Sequence, residues 1–317
     1  MDRLDILESR SVYILREAYA CARPLAMLWS VGKDSNVVLW LARKAFFGKV
    51  PFPMVQLDTG MELDEVYAYR DEYPKAWDLD LVVIDCPPES EMDPSLPPMT
   101  RSAARKSAGL ANLLEDGDYK GILVGIRRDE EATRAKERVF SPRATDGAWE
   151  FRDQPAEFWD QFTTDTPENA HLRIHPLLHW TEIDVWRYTQ RENIPVNPLY
   201  FLRDGKRYRS LGEKNITAPI DSDAATIDEI IEEYGLAGHV EELDDVGLTV
   251  VDQEIMRLSN AWVDRLRDTI LRVAETRAEA KFEVDKNPAK VFSGRPSEIL
   301  SLIHISEPTR PERIAYA

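Results

Sequence analysis

Four short apolar segments, separated by stretches with helical spacing, constrain the fold of this chain more than any other feature. The segments are AMLW (26–29), PMVQL (53–57), LVVID (81–85) and GILVG (121–125). Between the first three lie residues 36–47 and 63–77, whose apolar positions recur at helical intervals. Strands that alternate with helices predict a doubly wound α/β fold, in which a mainly parallel sheet carries helices on both faces.

Net charge limits the partners of such a chain. Its 317 residues include 57 acidic and 40 basic side chains, which gives a net charge of −17. A field of this sign repels nucleic acid and so disfavours a general DNA- or RNA-binding role. It repels ATP and sulfate as well, so any site for these anions must be a local basic exception.

Neither a membrane span nor a secretory signal is expected. No uninterrupted apolar run approaches the length that crosses a bilayer, and the first ten residues, MDRLDILESR, are charged throughout. We therefore expect a cytoplasmic location. The two cysteines, Cys21 and Cys86, are too few for a disulfide scaffold or a cysteine-based zinc site, and we expect ordinary thiols.

The turn SVGKDS, which begins at Ser30 after the first predicted strand, has the composition of an anion cradle. Gly32 permits close backbone approach, the helix start supplies free N–H groups, and the hydroxyls of Ser30 and Ser35 add hydrogen bonds. Lys33 and Asp34 bring charge. The pattern is neither a Walker A motif nor a GxGxxG fingerprint. Taken alone, it fits a plain strand-to-helix turn with a solvated lysine equally well.

The second predicted strand ends in LDTG, which places Asp58 and Thr59 beside that turn in a parallel sheet. An acidic side chain here can simply cap the following helix. Beside a phosphate cradle, Asp58 can instead hold Mg²⁺ or a donor group of ribose or adenine. We expect Asp58, Thr59 and Gly60 to bind the nucleotide, with Asp58 as the metal ligand.

The densest basic segment, GIRRDEEATRAKER, begins at Gly125 and follows the fourth predicted strand. Arg127 and Arg128 stand at the strand end, where ligands of such sheets bind. A guanidinium fork suits a tetrahedral oxyanion, so we favour a functional role for both. For Arg138 and Glu131 we favour the alternative, a surface helix with Glu–Arg pairs.

The stretch RIHPLLHWTEIDVW contains a capping box from Thr181 to Asp184 that predicts the start of a helix. His175 and His179 have the spacing of a metal pair. Pro176 argues against a shared helix face, however, and no third ligand is evident, so we expect core or capping roles for both.

The C-terminal part departs from the strand–helix alternation. TIDEIIEEYG, from Thr226, predicts a helix with a capping-box start and a glycine stop, and a second helical stretch spans about 251–281. We expect a nucleotide-binding catalytic domain at 1–222, a helical extension at 223–300 and a tail at 301–317. The tail resembles the conceptual translation of a sequencing adapter, and we expect it to be non-native; a natural flexible tail is the alternative.

Together, SVGKDS, LDTG, residues 125–137, residues 176–186 and NPLY at 197–200 resemble the adenylyl-sulfate branch of the PP-loop ATP pyrophosphatase superfamily, which includes the PAPS reductases. Within it, the chain is most similar to the small, catalytic subunits of bacterial heterodimeric sulfate adenylyltransferases. The likeness covers about residues 8–235. It implies an adenine nucleotide alpha hydrolase-like fold and an enzyme that joins sulfate to the α-phosphorus of ATP and releases pyrophosphate. It also implies Mg²⁺ and a GTPase large subunit as partner.

The family's reaction suggests roles for the motif residues. Pyrophosphate needs neutralising as it leaves, which Lys33 can do together with Mg²⁺. Sulfate is a weak nucleophile, so catalysis depends on positioning and charge screening. The candidates for holding sulfate are Arg127, Arg128, Arg134, Lys136 and Arg209. No GTPase motif is present in the sequence, so the GTPase must be another polypeptide.

Three alternatives stay open. An adenylyl-sulfate or phosphoadenylyl-sulfate reductase needs a nucleophilic cysteine near the C-terminus, and nothing beyond Cys86 is a cysteine. The family pattern also predicts a cysteine after RSLG, where this chain has Glu213. A PP-loop enzyme that adenylylates another acceptor is possible. A non-catalytic nucleotide-binding subunit is disfavoured because the motif residues are intact.

Overall fold

The structure is a computed structural model that describes residues 2–144, 154–155, 157, 161–164 and 170–236. The predicted helical stretch at 251–281, the tail at 301–317 and most of the aromatic residues between 140 and 162 lie outside the described residues. The division into a catalytic domain, an extension and a tail stays a prediction.

Helices and strands alternate through most of the described chain. The helices are α1 (Arg3–Cys21), α2 (Lys33–Ala45), α3 (Asp64–Ala76), α4 (Pro98–Gly117), α5 (Glu182–Glu192) and α6 (Ile227–Leu236). The strands are β1 (Leu25–Leu28), β2 (Met54–Asp58), β3 (Leu81–Asp85), β4 (Gly121–Leu123), β5 (Phe140–Ala144), β6 (Ala170–Ile174), β7 (Lys206–Arg207) and β8 (Ile220–Asp221). Short 3-10 turns occur at Glu89–Glu91, Ala132–Lys136 and Pro198–Tyr200. No helix among these residues is long and apolar enough to cross a bilayer.

Within the described ranges, six strands form one sheet in the order β3-β2-β1-β4-β6-β5, and β7 pairs with β8 separately. All pairs of the large sheet are parallel except β5 with β6, which confirms the predicted, mainly parallel sheet. The chain runs outward from β1 to β3 and then crosses back to β4. Because the winding reverses between β1 and β4, their carboxyl ends flank the crevice where ligands of such sheets bind.

Side chains of β1 alternate between two apolar clusters. Leu25 and Met27 pack in the larger one with residues of α1, α2, α3 and α5. Ala26 and Leu28 pack in the smaller one with Leu110 of α4. Successive strand residues point to opposite faces, so the sheet has helices on both faces, as predicted.

The sequence pattern does not predict β5 and β6. It favours a long excursion from Phe140, yet the first five residues of that segment form a strand antiparallel to β6. Local aromatic packing is present in its described part, where the ring centroids of Phe140 and Phe162 lie 4.8 Å apart. Polar side chains such as Arg143 and Arg173 interrupt both strands, and they hide the apolar run that marks a buried strand.

The capping box predicted for α6 is present. The Thr226 N–H donates to Glu229 Oε2 at 2.9 Å, and the Glu229 N–H donates to Thr226 Oγ1 at 3.2 Å. The predicted glycine stop is wrong, because the helix continues past Gly235. Glycine inside a helix costs only about 1 kcal/mol, and α6 gains apolar contacts through Ile230, which packs with Trp186 of α5.

The three histidines among the described residues lie in or beside the core, which agrees with the core roles expected for two of them. The Nδ1–H of His175 donates to the Arg138 carbonyl oxygen at 2.7 Å, and Nδ1 of His179 lies 2.8 Å from Arg128 Nη1. Burial lowers the pKa of His175 and of His179 to about 3, and it lowers the pKa of His171 to about 4. All three are therefore neutral in the folded protein at neutral pH.

These buried histidines predict that stability falls below neutral pH. Their pKa values are lower in the folded than in the unfolded chain, so only the unfolded chain binds protons as the pH falls below about 6.5. We expect the free energy of unfolding to drop between pH 7 and pH 5, with a slope of up to about 1.4 kcal/mol per pH unit for each histidine. Urea unfolding at several pH values measures it. His175→Gln removes one of the protons that the unfolded chain binds, so it should reduce the slope by up to about 1.4 kcal/mol per pH unit. An unchanged slope in that variant would contradict this explanation.

Candidate active site

The turn between β1 and α2 is strained at one residue. Val31 is fully buried and has a φ of 63°, in the left-handed region that a β-branched residue rarely adopts. Such a conformation costs on the order of 1–3 kcal/mol and persists where surrounding contacts impose it, often at a ligand site. Gly32, expected to permit close backbone approach, has an ordinary φ of −79° as the residue before α2, and a Cβ on it would lie 3.3 Å from the Ser30 hydroxyl oxygen.

The start of α2 presents donors to an anion. The Lys33 N–H donates to the Tyr200 hydroxyl at 2.8 Å. Within the described part of the chain, no group accepts from the N–H of Asp34 or Ser35. Two free donors at the positive end of a helix dipole form an anion site. A Cβ on Gly125 would lie 3.2 Å from the Ser35 nitrogen, so the chain after β4 passes close to these donors.

Serine hydroxyls hold the turn together. The Ser35 hydroxyl donates to the Gly32 carbonyl oxygen at 2.9 Å and accepts from the Ser30 hydroxyl at 3.2 Å. Ser30, Gly32, Lys33, Asp34 and Ser35 therefore meet at one place, as the motif predicted.

A cavity of about 440 Å³ opens beside this turn. Its walls come from the turn itself, the middle of β2, one side of α4, the chain after β4, and a loop near residue 211. The apolar lining residues are Leu28, Trp29, Val55, Leu57, Leu110, Val124, Ile126 and Leu211. Among the described residues, three cationic side chains line it: Lys33, Lys106 and Arg173. The cavity thus joins an apolar region to an anion cradle.

Lys33 and Arg127 converge on Asp34. Lys33 Nζ lies 3.2 Å from Asp34 Oδ2 and 3.3 Å from Glu182 Oε1, and its side chain is only 6% exposed. Arg127 is also buried and pairs with Asp34 and, at 2.8 Å, with Asp129. The structure thus brings together Lys33, expected to neutralise pyrophosphate, and Arg127, expected to hold sulfate. Arg127, however, contacts carboxylates and does not line the cavity.

Glu182, the first residue of α5, is a site residue that sequence analysis missed. It pairs with Lys33 and, through Oε2, with Arg209 Nη2 at 2.7 Å. Burial alone would raise the pKa of Glu182, but Lys33 and Arg209 outweigh it and lower the pKa to about 2. The carboxylate is therefore charged and holds both cations. Its only signal in the sequence is its place in the capping segment WTEID. That segment predicts the start of a helix but does not indicate which cations Glu182 pairs with.

The other predicted sulfate ligands lie elsewhere. Arg128 donates to the Glu137 carbonyl oxygen at 3.1 Å and contacts His179, whereas Arg134 pairs with Glu131 at 3.2 Å. Lys136 is exposed. None of these three basic side chains, nor Arg209, lines the cavity. Adjacent strand-end arginines point in different directions, so their shared position at the strand end does not make them joint ligands.

Asp58 has a structural role in this geometry. Its Oδ1 accepts from the Gly60 N–H at 2.7 Å and from the Tyr67 hydroxyl at 3.0 Å, and its Oδ2 pairs with Arg70 at 2.9 Å. Gly60 has a φ of 71°, so the turn needs glycine there. Both carboxylate oxygens are therefore engaged within the protein, and the metal role expected for Asp58 stays a prediction. In the described ranges, no group of three or more His, Cys, Asp or Glu could hold a metal ion.

Thr59, the third residue of LDTG, is buried, and its carbonyl oxygen accepts from Arg105 of α4. The motif therefore ties the end of β2 to both α3 and α4. Its contribution to nucleotide binding stays a prediction.

Glu213, which stands where a cysteine was expected, holds a cavity loop in place. Its carboxylate is buried and accepts a hydrogen bond from the Ser102 hydroxyl of α4. The preceding residues, Ser210 to Gly212, line the cavity. Glu213 therefore joins this loop to α4, whose Lys106 and Ser107 line the same cavity.

We expect Glu213→Ala to destabilise the protein by about 1–3 kcal/mol, because it leaves the buried Ser102 hydroxyl without an acceptor. Glu213→Gln keeps an acceptor oxygen and serves as the matched control. Urea unfolding gives the free energies, and calorimetry gives the ATP affinity, which should fall in the alanine variant as the loop loosens. If Glu213→Ala and Glu213→Gln had the same free energy of unfolding and the same ATP affinity, the hydrogen bond from Ser102 would not be what holds the loop.

Comparisons with known proteins identify the family of the chain. Residues 24–219, more than half of the chain, match the phosphoadenosine phosphosulfate reductase domain. The chain is 38% identical to sulfate adenylyltransferase subunit 2 of Rhizobium johnstonii, over 74% of this chain and 84% of that protein. It is 36% identical to the Psychromonas ingrahamii protein of the same name, over 74% and 88%.

Among solved structures, the chain is similar to phosphoadenylyl-sulfate reductase from Candida auris. The TM-score is 0.48 and the sequence identity 17%, over 69% of this chain and 98% of that one. The extended sequence matches carry the assignment: the chain belongs to the phosphoadenosine phosphosulfate reductase domain family and, within it, to the sulfate adenylyltransferase subunit 2 proteins.

Proposed function

We propose that this chain is the catalytic subunit of a sulfate adenylyltransferase. An oxygen of sulfate attacks the α-phosphorus of ATP, the bond from that phosphorus to the bridging oxygen of the β-phosphate breaks, and pyrophosphate leaves with the electron pair. The observation that carries the proposal is the cavity at the switch point, where the free donors of α2 and Lys33 meet an apolar region. An adenine nucleotide matches this combination, with its base in the apolar region and its phosphates at the cradle.

Lys33 is suited to follow the charge that develops on pyrophosphate. Its ammonium lies between Asp34 and Glu182, at 3.2 and 3.3 Å. Phosphate oxygens can replace these carboxylates as partners, so the buried ammonium is paired in both states. Preorganised donors at the place where charge develops stabilise the transition state more than the ground state.

The reaction needs no strong base. Sulfate at neutral pH carries no proton that must be removed, so the protein's tasks are positioning and electrostatic screening. We propose that Mg²⁺ enters with the triphosphate, since Mg²⁺ commonly uses only one or two protein carboxylates together with substrate phosphates. The described residues single out no carboxylate for it.

The proposed partner is a GTPase large subunit in the cytoplasm. Adenylyl sulfate lies uphill from ATP and sulfate, and the chain has no GTPase motif that could supply a driving reaction. The relatives are named as subunit 2, which supports a second subunit of a different kind.

Cysteine chemistry argues against a reductase. The sequence has two cysteines, of which Cys21 is exposed on α1 and Cys86 is buried after β3. Burial raises the pKa of the Cys86 thiol, although Lys106 and Arg105 oppose the effect. A raised pKa lowers the thiolate fraction and makes a poor nucleophile. Neither cysteine has the position or the acidity that a reductase requires.

We expect Lys33→Ala to reduce sulfate-dependent pyrophosphate release at least 100-fold, because the leaving group loses its buried cation. The assay uses the full chain with ATP, Mg²⁺ and sulfate, with and without a candidate GTPase and GTP. Lys206→Ala removes an exposed lysine from β7, outside the cavity lining, and is the matched control.

Two results would contradict the proposal. Pyrophosphate release that is independent of sulfate but depends on another acceptor would assign the chain to a different adenylylation. Tight ATP binding with no release under any partner condition would favour a non-catalytic nucleotide-binding subunit.

A further inference from the structure

Strands β5 and β6 carry a polar face beside the cavity. Their antiparallel register places Ser141 opposite Arg173 and Arg143 opposite His171. Because side chains alternate along a strand, these four residues share one face. Phe140, Leu172 and Ile174, which alternate with them, point to the other face and belong to the larger apolar cluster. The polar face is largely buried: Ser141, His171 and Arg143 are 0%, 1% and 6% exposed.

Arg173 differs from the other cations of the cavity. Lys33 pairs with Asp34 and Glu182, and Lys106 pairs with Glu62 at 3.3 Å. Across the described part of the chain, Arg173 forms no ion pair and its Nε has no hydrogen-bond partner. Arg173 is half-buried and its Nε is inaccessible to water. A guanidinium in such a place without a counter-ion is costly, so its presence calls for a ligand or another explanation.

The surroundings of Arg173 add positive charge. Arg143 and Arg134 lie within electrostatic range of it. Glu137, the carboxylate that acts on it, is already bound by Arg143 Nη2 at 2.7 Å through both oxygens. Burial and the charge of Arg143 together lower the pKa of Arg173 to about 10, so it still carries its charge at neutral pH. In an acidic protein this is a local basic region beside the nucleotide cavity.

We propose that Arg173 anchors a second anion subsite, which holds the tetrahedral oxyanion acceptor beside the nucleotide. If the proposed function is correct, that anion is sulfate, and this inference rests on it for the identity of the ligand. Arg143 and Arg134 contribute to the field that attracts the anion. Arg173 takes the role that sequence analysis gave to the Arg127 and Arg128 pair, neither of which lines the cavity.

The subsite is complementary to the cradle at α2. Both Lys33 and Arg173 line the same cavity, so two anions can bind there together. Arginine offers a planar fork that matches two oxygens of a tetrahedral anion. The other face of β6 packs in the core, which fixes the strand from which Arg173 projects.

The first test measures sulfate binding to the full chain. Sulfate is titrated by calorimetry in the presence of Mg²⁺ and a saturating concentration of an ATP analogue. The analogue has a methylene group between the α- and β-phosphorus, so it cannot react. NaCl keeps the ionic strength constant. Wild type should bind sulfate saturably. Arg173→Met should weaken sulfate at least tenfold while changing the affinity for the analogue less than threefold. Arg203→Met, which removes an arginine paired with Glu65 at 2.6 Å outside the cavity lining, should behave as wild type.

A second measurement separates a ligand site from a structural arginine. Without added anions, Arg173→Met should have a Tm equal to or above that of wild type, because the repulsion from Arg143 and Arg134 is removed. Arg173→Lys keeps the charge but loses the fork, so its sulfate affinity should lie between those of wild type and Arg173→Met.

Several results would overturn the inference. These are absent sulfate binding in wild type, unchanged sulfate affinity in Arg173→Met, an equal loss of analogue affinity, or a Tm that falls by several degrees in Arg173→Met and recovers in Arg173→Lys. The proposed function fails separately: Arg173-dependent sulfate binding without sulfate-dependent pyrophosphate release would reject catalysis and leave the anion subsite in place.

Discussion

The compensation of buried cations by carboxylates is the constraint on which this site depends. Lys33 and Arg127 are nearly inaccessible to water, and a buried charge without a partner would cost several kcal/mol. Asp34 and Glu182 supply partners from two elements distant in sequence, the start of α2 and the start of α5. The same contacts join the starts of these two helices. Packing of the helices on the sheet and formation of the cradle are therefore linked.

Such pairing also affects how the site binds an anion. A phosphate group that approaches Lys33 exchanges one set of oxygens for another, and no new desolvation of the ammonium is required. The cost lies in displacing Asp34 and Glu182, whose charges must then find other partners. Arg209 and Arg127 already contact these carboxylates and can keep them paired. The network therefore tolerates a change of partner at Lys33 without leaving a buried charge exposed to the low dielectric of the interior.

How far the sequence predicts this molecule depends on what each residue type signals. The first four strands have continuous apolar runs and were predicted to within a few residues, and the SVGKDS turn identified the cradle. β5 and β6 were missed because Arg143 and Arg173 replace apolar residues on their ligand-facing side. A local sequence pattern assigns such arginines to the protein surface, because it contains no information about the cavity that these strands border.

Side-chain partners were predictable only where they are close in sequence. The capping boxes at Thr181 and Thr226 involve residues three apart, and both are present. The pairing of Lys33 with Glu182 joins residues far apart in the chain, and no sequence pattern reports it. The contacts of Asp58 with Tyr67 and Arg70 of α3 span a shorter stretch, yet they too lie beyond the three-residue spacing of a capping box and no pattern predicts them.

One strand connects the two proposed anion positions. Ile122 of β4 is the register partner of Arg173 on β6, and three residues later Gly125 approaches the free donors at the start of α2. The separation between cradle and oxyanion subsite is therefore set by a short length of backbone that is hydrogen-bonded on both sides. A weak nucleophile gains most from such fixed positioning, because the rate depends on how often the attacking oxygen and the phosphorus are aligned. Strands of a central sheet hold that alignment more tightly than loops. An arginine on β6 is therefore better placed for this task than Arg127 and Arg128, which lie in the connection after β4.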